Sequence, residues 1–128
     1  MASRRSAIAP TVERILEAVD EVGLSADQRA DLAVAAAEAL SNAAVHGNLL
    51  KPGSLVTITI EVTPGRRATI DVKDSGHGFE FGELADPTEP GRLLTPGGRG
   101  VFLMRRLVDR IDFQPPGNRV RLTVVARP

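Results

Sequence analysis

The stretch Glu38-Ala39-Leu40-Ser41-Asn42-Ala43-Ala44-Val45-His46-Gly47 decides how the rest of this chain is read. It closes a run from about Asp27 to His46 that holds neither glycine nor proline and is rich in alanine, the strongest helix former. Ahead of it, Ser25-Ala26-Asp27-Gln28 has the form of a capping box, a hydroxyl at the N-cap with a side-chain amide three residues on. Gly47 is the expected stop, a residue free to turn left-handed past the helix, and Pro52-Gly53 keeps the helix from resuming. On such a helix Glu38 and Asn42 share one face, their Cβ atoms about 5–6 Å apart. An asparagine carbonyl is a suitable hard ligand for Mg²⁺, which keeps several waters and takes few protein ligands. A carboxylate one turn away can orient or deprotonate an attacking hydroxyl. Taken alone, such a pair is more often an ordinary polar helix face.

Toward the amino terminus, Val12, Ile15, Leu16 and Val19 are spaced for the apolar side of a helix that opens at Pro10-Thr11 and closes at Gly23. Residues 1–9 are small and polar and read as a poorly ordered lead-in to a single domain spanning 10–128. On the carboxyl side, Val56, Ile58, Ile60 and Val62 alternate with polar partners, Pro64-Gly65 turns the chain, and Ala68, Ile70 and Val72 continue the pattern. This predicts an antiparallel hairpin. From Asp74 to Gly98, glycine and proline break all periodicity, and a loop of that length in a small domain is usually functional or mobile. Val101–Val108 then read as a helix, Ile111 and Phe113 as a short strand, and Val120, Leu122 and Val124 as a last one after the turn Pro115-Pro116-Gly117-Asn118.

Composition narrows the class. At 128 residues, 42% hydrophobic and 25% charged, the chain has the size and balance of one globular domain. Sixteen basic residues offset sixteen acidic ones, which argues against a nucleic-acid binder held by a general positive field, and four phenylalanines are too few for a base-stacking platform. The absence of cysteine removes disulfides and thiolate metal sites. No run approaches the roughly 18 apolar residues of a membrane span, so a cytoplasmic setting is expected.

Two further segments carry chemistry. Asp74-Ser75-Gly76-His77-Gly78 follows a strand directly, where a carboxylate can accept a hydrogen bond from the exocyclic amine of a purine and glycines let backbone approach the ring. Asp-Ser-Gly is also common turn chemistry. Gly97-Gly98-Arg99-Gly100 leads into a helix, whose first N–H groups and positive dipole end suit phosphate, although a flexible hinge has the same composition.

Together, a glutamate and asparagine on a helix, Asp-x-Gly-x-Gly after a strand and Gly-x-Gly opening a later helix resemble the N, G1 and G2 boxes of the GHKL ATPase superfamily. The form Glu38-x-x-x-Asn42-Ala43-x-x-His46-Gly47 is most similar to the anti-sigma-factor serine kinases, the RsbW-like group, and the likeness runs from about Val12 to Val125. Neither a Walker A loop nor a protein-kinase glycine-rich loop is present.

The resemblance implies an α/β (α+β) two-layer sandwich of the Bergerat type, a mixed and largely antiparallel sheet covered on one face by helices. It implies ATP and Mg²⁺ as cofactors, with Asn42 as the metal ligand, Glu38 as general base and Asp74 on the adenine amine. Gly76 and Gly78 would shape the adenine pocket, Gly98, Arg99 and Gly100 would meet the phosphates, and residues from about Phe81 to Gly97 would form a lid. The implied activity is transfer of phosphate to a serine of a STAS-type antagonist, with sequestration of a sigma factor. The usual state of such proteins is a homodimer with no direct nucleic-acid or membrane contact. A nucleotide-gated binding module without phosphoryl transfer is the alternative; Glu38 favours the kinase, because a pure sensor needs no base there. His46 is expected to fix the helix end or the pocket wall. Gly117-Asn118 stands where many such proteins have Gly-Thr, and Thr95-Pro96-Gly97 lacks their usual polar residues, leaving Arg92 or Arg99 to neutralise phosphate.

Overall fold

The computed structural model describes residues 1–75, 104–114 and 118–127. Two helices, α1 (Ile8–Ala18) and α2 (Ala26–Ser41), precede four strands, β1 (Thr57–Thr63), β2 (Arg67–Lys73), β3 (Arg110–Gln114) and β4 (Arg119–Val125). The strands lie in the order β1-β2-β4-β3, antiparallel at every described pairing. This is the helix-on-sheet sandwich expected from the sequence.

The capping box forms as written: Gln28 N–H donates to Ser25 Oγ and Ser25 N–H to Gln28 Oε1, both at 3.1 Å. The Gln28 side chain also donates to the Val125 carbonyl at 2.8 Å, tying the start of α2 to the end of β4. The α1 helix begins at Ile8, two residues before the expected start, which places Pro10 in its first turn. Proline is tolerated there because the first amides of a helix have no intrahelical acceptor. A short 3₁₀ turn (Asp20–Val22) follows α1, and Gly23 closes it at φ 79°.

Between β1 and β2 the chain turns through Pro64 and Gly65, with Gly65 at φ 70° and Arg66 N–H on the Thr63 carbonyl at 3.0 Å. Proline at the second turn position and a left-handed glycine at the third are what a type II turn requires. The register sets Ile70 opposite Leu122, and both are fully buried. Burial of such side chains is worth about 1.5–3 kcal/mol each. Ile15, Leu32 and Leu40 from the two helices complete the same core. Ala35, Ala36 and Ala39 are also buried, and their small side chains let α2 lie close to the sheet. Residues 104–107 are helical, with Met104 and Val108 in the core, while Val101–Leu103 of the expected helix lie outside the described residues.

The opposite sheet face is polar. Asp71 and Arg121 face each other across β2 and β4 and form a two-pronged ion pair at 2.8 and 3.0 Å. That hydrogen bond, and the Asp71 charge, raise the Arg121 pKa above its ordinary value. A raised basic pKa contributes stability that is fully present below the unfolded value and is lost only as pH rises through the folded one, so the Arg121 shift adds no pH dependence near neutrality.

The lead-in is not loosely held. Ala2 bridges Leu55 in antiparallel fashion, and Val56 N–H donates to the Met1 carbonyl while the Met1 amine donates to the Val56 carbonyl, each at 2.8 Å. Ser3 is 6% exposed and bonds the Ser54 carbonyl through its hydroxyl. Backbone pairing places this segment, and backbone groups leave no mark in a polar sequence.

Candidate functional site

The site is built where α2 ends. The regular helix stops at Ser41, and Asn42–Gly47 wind more loosely as a π-helical turn. Asn48 N–H reaches back five residues to the Ala43 carbonyl at 2.8 Å, and Leu50 N–H six residues to Ala44 at 2.9 Å. Such widened turns are rare and occur often at functional sites. The Asn42 N–H still bonds the Glu38 carbonyl, so the two residues stand one turn apart, as the spacing implied.

Gly47 is not the left-handed stop expected. Positive φ falls instead on Leu49 (53°) and Leu50 (55°), which carry the chain out of the turn. Gly47 is needed for another reason: a Cβ there would collide with the carboxylate of Asp74. The end of β2 is therefore packed directly against the turn after α2. Leu49 is 77% exposed, so its side chain contributes little packing to offset a left-handed backbone. Leu49→Gly is expected to raise stability by about 0.5–1 kcal/mol, measured by denaturant unfolding.

Asp74 is 4% exposed and held from two sides. Gly47 lies against its carboxylate, and Asn118 brackets its backbone: Asp74 N–H donates to the Asn118 carbonyl, and Asn118 Nδ2 to the Asp74 carbonyl, both at 2.9 Å. Asn118 thus occupies a structural position at the pocket. One cavity is lined by Asn42, Asp74, Asn118, Val72, Met104 and Phe113, among others. It brings Asn42 and Asp74, 32 positions apart in the chain, onto a shared wall. At about 10 Å³ it has room for about one water at most.

Asn42 is only 6% exposed, and among the described residues nothing hydrogen-bonds its side-chain amide. A side-chain carbonyl oxygen at a cavity wall, with no described partner, is of the chemical type that fits a Mg²⁺ ligand. Among the described residues no three of His, Asp and Glu gather as a metal cage. Glu38 is half-buried and does not line the cavity. His46 is exposed and does not line it either; of its two expected places it takes the helix end, within the Asn42–Gly47 turn, and not the pocket wall. Gly76, Gly78, Gly98, Arg99 and Gly100, with the lid from about Phe81 to Gly97, lie outside the described residues.

Residues 2–124 match the family described as "Histidine kinase-like ATPase domain". The chain belongs to the histidine kinase-like ATPase domain family. The likeness covers nearly all of this ATPase-type domain, including both segments that meet at the cavity. It is 27% identical over 123 residues to an anti-sigma F factor of Clostridium botulinum (strain Alaska E43 / Type E3), a match covering 92% of this chain and 80% of the relative. It is 30% identical over 99 residues to the serine-protein kinase RsbW of Bacillus subtilis (strain 168), covering 73% of this chain and 61% of that one. Among solved structures, a mycobacterial sensor histidine kinase, MprB, superposes with a TM-score of 0.56 at 21% identity, covering 78% of this domain and 73% of that chain. At that identity the superposition speaks for the fold. Among the described residues of this histidine kinase-like domain, no helix is long and apolar enough to cross a membrane.

Asn48 is the residue that sequence reasoning missed. It is 6% exposed, and its side chain bonds Ser3, Leu55 and Ser75. An asparagine after a glycine reads as loop chemistry, and only the tertiary structure shows that it is buried.

Proposed function

We propose that this chain is an ATP-dependent protein serine kinase that acts as an anti-sigma factor, phosphorylating a serine of a STAS-type antagonist and sequestering a sigma factor. The observation that carries this reading is the meeting of Asn42 and Asp74 on one cavity wall, with Gly47 packed against the Asp74 carboxylate. The relatives named anti-sigma F factor and serine-protein kinase RsbW support it. The proposed setting is the cytoplasm and the proposed assembly a homodimer, with neither nucleic acid nor membrane as a direct partner.

In this proposal Asp74 accepts a hydrogen bond from the adenine amine, and Gly76 and Gly78 give the ring room. Asn42 holds Mg²⁺ through its side-chain oxygen, and Gly98, Arg99 and Gly100 meet the phosphates. The cation would neutralise charge on the triphosphate, the main demand that phosphoryl transfer makes. Glu38 orients the acceptor serine and takes its hydroxyl proton as the serine oxygen bonds to the γ-phosphorus. The bond from that phosphorus to the β–γ bridging oxygen breaks, and ADP leaves. The position of Glu38, one turn from Asn42 yet outside the cavity lining, suits a residue that serves the incoming hydroxyl and not the base.

Incubation with radiolabelled ATP, Mg²⁺ and a candidate STAS protein tests this. Label is expected on the STAS protein and is expected to vanish when its acceptor serine is replaced by alanine. ATP binding with no transfer to any candidate would favour the alternative, a nucleotide-gated binding module.

A further inference from the structure

Asn48 uses every hydrogen-bonding position of its side chain. Oδ1 accepts from the Ser75 N–H at 2.9 Å and from the Ser75 hydroxyl at 3.0 Å. Nδ2 donates to Ser3 Oγ at 2.9 Å and to the Leu55 carbonyl at 3.0 Å. A primary amide offers two donors and a two-lone-pair acceptor, so this group is fully satisfied while nearly buried. Its neighbours at both ends matter. Gly47, one residue before it, packs on the Asp74 carboxylate; Ser75, which it grips, is one residue after Asp74. Asn48 and Gly47 therefore meet Asp74–Ser75 at two adjacent points, in addition to the Asn118 bracket. Through Nδ2 the same amide reaches Ser3, which in turn holds the Ser54 carbonyl at 3.0 Å.

We propose that Asn48 is a positioning residue for the adenine end of the site: it clamps Ser75, sets where the Asp74 carboxylate stands, and through Ser3 makes that placement depend on how residues 1–3 are seated against 54–56. This rests on the assignment of Asp74 as the contact to the adenine amine. Asp74 lines the cavity together with Asn42, Val72, Met104 and Arg119, so where its carboxylate stands bears directly on what that cavity can hold. A shift of a few tenths of an ångström at a buried carboxylate changes a hydrogen bond to a ligand amine far more than it changes the van der Waals contacts around the ring. The clamp should therefore show in base discrimination before it shows in affinity for the triphosphate.

The test compares ATP with inosine triphosphate, which lacks the amine, by calorimetry on the full chain, together with hydrogen exchange at the Ser75 amide. In Asn48→Ala, Ser75 exchange is expected to speed up, ATP affinity to fall by about tenfold and inosine triphosphate affinity to stay within about twofold. Ser3→Ala, a milder change that removes one bond at the chain start, is expected to move both readouts in the same direction by about two- to threefold, and serves if Asn48→Ala does not fold. Loss of thermal stability with the full ATP preference kept, in folded variants, would overturn the inference alone and leave Asn48 a merely structural residue. A wild-type chain that binds both nucleotides equally would overturn the assignment of Asp74, and the inference with it. Faster Ser75 exchange and a reduced ATP preference in both variants would support it.

Discussion

Replacing Glu38 with glutamine is expected to lower phosphoryl transfer by about 100-fold or more while leaving ATP affinity within about twofold. The size of the effect follows from the role: a positioned base contributes about 10²–10⁴-fold, and an amide of the same shape cannot take the proton. The selectivity follows from geometry. Glu38 sits one turn before Asn42 but outside the cavity that joins Asn42 to Asp74, so its loss removes no contact to the base. An interaction made only as the hydroxyl attacks lowers turnover and not ground-state binding. Single-turnover transfer with labelled ATP, beside a binding isotherm for each protein, separates the two. Transfer unchanged in Glu38→Gln would remove Glu38 from the mechanism.

The second large effect is expected at Gly47. Its backbone φ is not left-handed, so alanine there meets no conformational penalty of that kind. The whole cost comes from collision: the added Cβ would overlap the Asp74 carboxylate, with Oδ1 at 2.7 Å. Asp74 has little freedom to withdraw, because Asn118 bonds its backbone twice and Asn48 holds Ser75 beside it. Overpacking of this kind typically costs about 1–3 kcal/mol. Gly47→Ala should lose that much in denaturant unfolding and bind ATP about tenfold or more weakly. Gly23→Ala is the contrast. A Cβ at Gly23 meets nothing within 4 Å, but its φ of 79° strains any side chain, so stability falls while ATP affinity is unchanged. Equal nucleotide affinities for Gly47→Ala and the wild type would mean that the packing of Gly47 on Asp74 does not shape the site.

Much of this was legible in the sequence because local chemistry carried it. Ser25 and Gln28 announce the start of α2, Pro64-Gly65 the hairpin turn, and the alternation around Ile58, Ile60, Ile70 and Val72 the inward face of β1 and β2. Each signal is a short-range constraint that tertiary packing had no reason to oppose. The one-turn pairing of Glu38 and Asn42 was legible for the same reason. What stayed hidden is non-local. The π-helical widening at Asn42–Gly47 breaks no periodicity that the sequence displays, and the closeness of Asp74 to Gly47 is a tertiary contact. The left-handed leucines at 49 and 50 run against propensity, and residues 1–3 are placed by backbone bonds and by the long-range contacts of Ser3, none of which shows in a local pattern. Asn48 joins three segments that are far apart in the chain, which no periodicity can reveal.

The most direct measurement is a calorimetric titration of the folded chain with ATP, with and without Mg²⁺. Saturable binding to one site per chain, strengthened by Mg²⁺ and weakened by Asn42→Ala, is the expected result. A folded chain that takes up no adenine nucleotide in the presence of Mg²⁺ would contradict the pairing of Asn42 and Asp74 as the two ends of a nucleotide site.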